Sequence, residues 1–225
     1  VAAGGLRPGS VVGPDARAAG RAAGAAGTIL AVSDEIDERL LSEVRSESTA
    51  DVRLILSCGD LPPDYLEALA DRFRVPLLYV RGNHDGRGDR TPPGENVDRR
   101  LVRVGGLRVA GFEGSMWYNG EGVQFTEQQM WWRVLSLRPA VWWAGGVDVV
   151  VTHAAPHGIH DGQDRAHVGF RVFHSILRRL RPRYLVHGHN HLSYVSKGTR
   201  STVIGRTEVV NAFRSVVLPI DRGGP

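Results

Sequence analysis

Five times along this chain a short, strand-like apolar run ends at a side chain able to hold a metal ion. TILAVS precedes Asp34, VRLILSCG precedes Asp60, PLLYVRG precedes Asn83, VDVVVT precedes His153 and RYLVHG precedes His189. In α/β sheets ligands bind beyond the carboxyl ends of the strands, so five such ends can converge on one crevice. Between these runs lie longer segments of helical period, and the alternation is that of an α/β domain.

The pattern predicts strands at 28–32, 52–56, 76–80, 101–104, 107–111, 147–152, 184–186, 201–204, 208–211 and 215–220, and helices at 35–44, 64–73, 127–137 and 168–180. Apart from Arg53 and Asp148, the runs at 52–56 and 147–151 are apolar without alternation, as in strands buried on both faces. Later strands look more antiparallel. At 225 residues the chain suits one domain, over 28–221, after an Ala, Gly and Arg-rich extension over 1–27 expected to be disordered, with a tail at 222–225. The Gly, Pro and charge-rich stretch 87–100 reads as a mobile surface loop. Its Arg87-Gly88-Asp89 tripeptide carries no weight as an adhesion signal.

No apolar run approaches the roughly 20 residues of a membrane-spanning helix, so no membrane partner is expected. The single cysteine, Cys58, has no internal partner for a disulfide, which points to the cytoplasm. A net charge of +4 favours anionic partners, yet the arginines are too scattered to single out nucleic acid over a small phosphate ester.

Each candidate ligand also has an ordinary structural reading. Asp34 suits a helix N-cap, Gly59-Asp60 and Gly82-Asn83 suit turns, and His153 suits a hydrogen-bonded core position. His189-Asn190-His191 is stronger, because two imidazoles at i and i+2 in a Gly-flanked loop can serve neighbouring positions of a metal cluster. Together, Asp34, Gly59-Asp60, Gly82-Asn83-His84-Asp85, Thr152-His153 and Gly188-His189-Asn190-His191 resemble the motifs of the calcineurin-like metallophosphoesterases, in the family's order, within a stretch running from about Thr28 to about Ile220. Thr152 to Gly158 and Gly169-Phe170 also look like a branch of small phosphodiesterases related to cyclic-nucleotide enzymes.

The resemblance implies a four-layer α/β/β/α sandwich with two mixed sheets, and hydrolysis of a phosphodiester or phosphomonoester at two divalent ions (Mn, Fe, Zn or Ni). It makes Asp60 the bridging carboxylate, with Asn83, His153 and His189 completing one position and Asp34 and His191 serving the other. It makes an activated water between the ions the nucleophile, and His84 the group that contacts phosphate or protonates the leaving oxygen, with Asp85 as its orienting partner or a loop cap. Oxygen and imidazole donors suit such borderline ions. The family has a His where this chain has Ile36, so the second position is short of an imidazole and open to weak occupancy. Asp37, or Glu35, stands ready to supply an oxygen if a helix starts here; either can equally complement a helix N-terminus.

Eight of the nine histidines fall between His153 and His191. His157 and His167 lie in loops expected to border the crevice, and His160-Asp161 is either a turn or a pair orienting a ligand. Of the aromatic residues, Trp117 and Tyr118 are candidates for a substrate wall, whereas Trp131, Trp132, Trp142 and Trp143 are expected to pack in the core. Two other readings stand beside hydrolysis of a small ester: a non-catalytic metal-binding scaffold, suggested by Ile36, and a nuclease, suggested by the basic charge.

Overall fold

The computed structural model describes residues 27–42, 47–86, 90–192 and 199–220. The expected extension up to residue 26, the Arg87-Gly88-Asp89 tripeptide and the tail 222–225 lie outside the described residues. Strands β1 (Gly27–Ser33), β2 (Val52–Ser57), β3 (Leu77–Tyr79) and β4 (Glu95–Asn96) form one sheet with β13 (Arg214–Ile220), in the order β13-β1-β2-β3-β4. All its neighbours are parallel except β13 with β1. The second sheet contains β5 (Leu101–Val104), β6 (Leu107–Phe112), β9 (Val149–Thr152), β10 (Tyr184–His187), β11 (Ser201–Ile204) and β12 (Thr207–Asn211). Its order is β11-β12-β10-β9-β6-β5, with antiparallel pairs only at the two edges. A small parallel pair, β7 (Ser115–Met116) with β8 (Gln124–Phe125), stands apart. Among the described residues three α-helices cover the faces: α1 (Pro63–Phe73), α2 (Glu127–Trp143) and α3 (Phe173–Ser175), the last continuing as a π-helical stretch Ile176–Leu180.

Side chains alternate between the two faces of a strand, and this period sorts the core into layers. From β1 and β2, Ile29, Ala31, Leu54 and Leu56 face the second sheet, meeting Val149, Val151, Val186 and Val210. Their neighbours Leu30, Val32 and Ile55 face α1, against Leu66, Leu69 and Phe73. On the far side of the second sheet, Ala110, Val150 and Leu185 meet Met130, Val134 and Leu137 of α2 and Phe173 of α3. The result is the expected α/β/β/α sandwich of two mixed sheets; Leu54 to Leu56 and Val149 to Val151 are buried on both faces as read, whereas Arg53 is exposed and Asp148 only partly buried. Each fully buried Val, Leu or Ile contributes about 1.5–3 kcal/mol relative to exposure.

Three helices depart from the sequence reading. The segment expected to be helical over 35–44 forms only a 3-10 turn, Glu38–Leu41, within its described part. Asp34 adopts a left-handed backbone (φ 66°) and Glu35 N–H bonds the Ser33 carbonyl at 2.8 Å, so the chain turns tightly before a helix can start. The predicted 168–180 helix begins only at Phe173, because Phe170 is drawn into a bridge with Pro156. Helix α2 runs past the expected Leu137 to Trp143, through Pro139. That proline forgoes one backbone hydrogen bond, while Val141 beyond it is buried in the same layer as Met130 and Val134 and carries the helix on.

Candidate metal centre

The carboxyl ends of β1, β2 and β3 from one sheet, and of β9 and β10 from the other, carry the candidate ligands to one edge of the sandwich. Close approach there depends on glycine. A Cβ on Gly82 would overlap Asp60 Oδ1 and come within 2.7 Å of His153 Cε1. A Cβ on Gly188 would overlap Ser33 Oγ and stand 2.7 Å from Asp34 Oδ2. Asp34 (φ 66°), Asp60 (φ 57°) and His189 (φ 66°) all adopt left-handed backbones where their strands end, a conformation that L-residues with a Cβ adopt at a cost and that recurs at functional sites.

Asp60, His153 and His189 offer ligand atoms that all lie within 4.8 Å of one another. His153 is fully buried; its Nδ1 bonds the Cys58 carbonyl at 2.7 Å, and its Nε2 faces Asn83 Oδ1 at 2.8 Å and Asp60 Oδ2 at 3.3 Å. Asn83 is oriented by its Nδ2, which donates to the Tyr118 hydroxyl at 3.3 Å and leaves Oδ1 toward the site. A neutral His153 that donates through Nδ1 turns an Nε2 lone pair toward two oxygen acceptors. Three electron-rich atoms so arranged require a cation, either a proton or a metal, among them. The same donor set, two imidazoles, a carboxylate and an amide oxygen, suits a borderline divalent ion. His189 Nε2 donates to the Ala166 carbonyl at 2.7 Å, which leaves Nδ1 as its lone-pair nitrogen.

The electrostatics follow from the same contacts. Burial pushes the His153 ring downward, but the Asp60 and Asp34 carboxylates outweigh it and hold the imidazole up at about 9. Burial followed by repulsion from His153 pulls His189 down to about 3. Asp60 stays below the ordinary carboxylate range because His153 overcomes the cost of its burial. Burial raises Asp34.

The remaining predicted residues fall in several places. Both Asp34 oxygens accept the His189 backbone N–H, each at 3.0 Å, so Asp34 borders the cluster. His191 is turned elsewhere: its ring lies 4.5 Å from that of Phe213, and its Nδ1 is 3.8 Å from Glu35 Oε1. Glu35 is meanwhile paired with Arg214 at 2.8 Å. Asp37 does not join the cluster. Its carboxylate accepts from Arg39 at 2.8 Å and from Ser215 Oγ at 2.5 Å, and it caps the 3-10 turn. Ile36 is exposed.

The exposed His84 is tied to the site through its backbone, its N–H donating to Asp60 Oδ1 at 2.9 Å. Asp85 does not bond the His84 ring; its Oδ2 accepts the N–H groups of Asp60 at 3.0 Å and Gly82 at 2.7 Å. The His167 ring lies 5.1 Å from that of His189, with Asp164 at 2.9 Å from its Nδ1. His157 sits 3.2 Å from Asp161. Trp117 is half exposed, and Tyr118 serves Asn83.

Two features differ from the sequence reading, the first being that His160 pairs with His187 and not, together with Asp161, with a ligand. His160 and His187 are both buried and joined at 3.1 Å, with Thr202 Oγ1 at 2.8 Å from the other His160 nitrogen. Burial lowers both, His187 to about 3, so the pair is held neutral directly behind the His189 loop. A left-handed φ of 58° at His160 brings it there, and no motif announces it. The second is Trp131, Trp132, Trp142 and Trp143, which are exposed and do not pack in the core. The buried positions of α2 are Met130, Val134, Leu137 and Val141, whose spacing leaves the tryptophans on other faces.

Comparison with known proteins bears on the family and the fold. The model of the calcineurin-like phosphoesterase family matches residues 33–193. A search of curated proteins finds no match. Among solved structures the chain is similar to TT1561 of Thermus thermophilus, at 16% identity and a TM-score of 0.57, covering 84% of this chain and 90% of that one. It also resembles Vps29 from Cryptosporidium parvum, at 16% identity and a TM-score of 0.41, with 83% and 74% coverage. Vps29 from Entamoeba histolytica, solved complexed with Zn+2, is 14% identical with a TM-score of 0.39, over 83% and 74% of the two chains. The likeness to the first is one of fold.

Proposed function

The chain belongs to the calcineurin-like phosphoesterase family, and from that premise we propose that it hydrolyses a small phosphate ester, with Asp60, Asn83, His153 and His189 holding a divalent ion. The observation that carries this reading is the convergence of His153 Nε2, Asn83 Oδ1 and Asp60 Oδ2 on one point. When bound, such an ion neutralises phosphoryl oxygens and lowers the pKa of a water. Asp34 and His191 would serve a second ion at a position that Ile36 leaves short of an imidazole, with Glu35, 3.8 Å from His191 Nδ1, as the nearby carboxylate.

His84 is the proposed acid. Its backbone is fixed to Asp60 while its ring stands exposed at the rim, so it reaches toward a leaving oxygen without being a ligand. Asp85 fixes the loop that carries both. His167 beside His189, with His157, Trp117 and Tyr118, borders the place where substrate would lie. A diester is the favoured substrate, on the likeness of Thr152 to Gly158 to small phosphodiesterases.

The test compares bis-p-nitrophenyl phosphate with p-nitrophenyl phosphate on protein loaded with Mn, with bound metal counted per chain. Turnover of the diester is expected, with His84→Ala lowering kcat by about 100-fold or more while bound metal is unchanged. An inert protein on both esters would overturn the proposal. It would favour the second reading, a metal-binding scaffold, which the Ile36 substitution and the outward turn of His191 support; that reading predicts one ion at most and no turnover.

A further inference from the structure

Helix α2 is apolar on sides that none of the described residues covers. Met130, Val134, Leu137 and Val141 face the sheet, while Trp131, Trp132, Trp142 and Trp143 are 46%, 59%, 80% and 86% exposed. A helix apolar nearly all round is normally a buried one, and contiguous exposed apolar surface marks a place of interaction.

Between α2 and the π-helical stretch after α3 lie two adjoining hollows, of about 400 and 820 Å³, that share Leu135, Arg138, Arg179 and Leu180. Trp131 lines one and Trp142 the other. The rim carries Arg138, Arg171, Arg178 and Arg179, none of which makes an ion pair to a described residue. Glu127, the acidic residue lining the groove, is already committed: its two oxygens accept the backbone N–H groups of Arg171 at 3.0 Å and Val172 at 2.7 Å.

We propose that this groove docks an acidic amphipathic helix of a partner protein, apolar side chains seated between Trp131 and Trp142 and carboxylates meeting the arginines. Charge complementarity names the partner: four guanidiniums around an apolar floor call for carboxylates, which they pair in forked geometry. Tryptophan and arginine are also the residues that dominate binding energy at protein interfaces. A second copy docking through the same face would set these arginines against themselves across a twofold axis. A bilayer surface would leave the concave floor unfilled.

Four of the five tryptophans lie on α2, so tryptophan emission reports on this surface directly. The probes are a synthetic helical peptide with Leu at i, i+3, i+4 and i+7 and Glu elsewhere, its counterpart with Lys for Glu, and vesicles of phosphatidylcholine with phosphatidylserine. A blue shift with the Glu peptide is expected, with a dissociation constant of about 1–100 μM. The double substitution Arg178→Glu with Arg179→Glu should weaken it at least tenfold without changing thermal melting or ester hydrolysis. Four results would overturn the proposal: no shift with the Glu peptide, an equal shift with the Lys peptide, a shift with vesicles alone, or peptide-independent dimerisation in sedimentation.

Discussion

Asp85 follows His84 in the sequence, and that adjacency suggests a partner for its ring. The carboxylate instead receives the N–H groups of Asp60 and Gly82, tying the ends of β2 and β3 together beside the cluster. Removing it strands two backbone donors, each at about 1–3 kcal/mol. Asp85→Ala should therefore lower stability by about 2–4 kcal/mol and weaken metal binding by about 10- to 100-fold. Thermal melts and a metal titration check both; unchanged values would return Asp85 to an accessory of His84. Identity of residues was legible from sequence at this scale, and their aim was not. Asp37 is within three residues of Asp34, yet Arg39 and Ser215 hold its carboxylate in another network. Only the backbone turn at Asp34 decides this, and one residue in an unusual φ leaves no periodic trace.

Elements were legible where burial imposes a period. The strands that carry the ligands end within one or two residues of the expected places, because continuous apolar runs must stop where polar ligands begin. The two-residue strands β4, β7 and β8 are too short to show alternation. Helix α2 was visible at its start, where Thr126 and Gln129 form a capping box, Thr126 Oγ1 accepting from Gln129 N–H at 3.2 Å and Gln129 Oε1 from Thr126 N–H at 2.8 Å. Its end was not visible, since Pro139 suggests a stop that the buried Val141 overrides. Thr126→Ala should cost about 1 kcal/mol, a fall in melting temperature of about 2–4 °C for a protein of this size. A fall of under a degree would mean that packing of α2 makes the cap redundant.

For the molecule as a whole, the convergence of five strand ends was readable before any sheet order was. Which strands neighbour which depends on pairings such as β1 with β13, between residues at opposite ends of the described chain, and sequence periodicity is silent about those. The same convergence makes the site a clamp between the two sheets, with Asp60 and Asn83 following strands of one and His153 and His189 following strands of the other. A ligand that binds only the folded chain at 100 times its dissociation constant adds about 2.7 kcal/mol. Chelation of bound metal should thus lower melting by about 5–10 °C, and His153→Ala should abolish that difference. Melting indifferent to Mn and to chelator would remove the metal centre. The left-handed backbones at Asp34, Asp60 and His189 carry a consequence for the history of such a chain. Each stores about 1 kcal/mol of strain, which glycine would release, so selection for folding alone would erode these three positions early. Arg74, Arg99, Arg181 and Arg214 keep such backbones outside the cluster, so it is the gathering of three at one edge, and not the conformation itself, that stability alone does not call for.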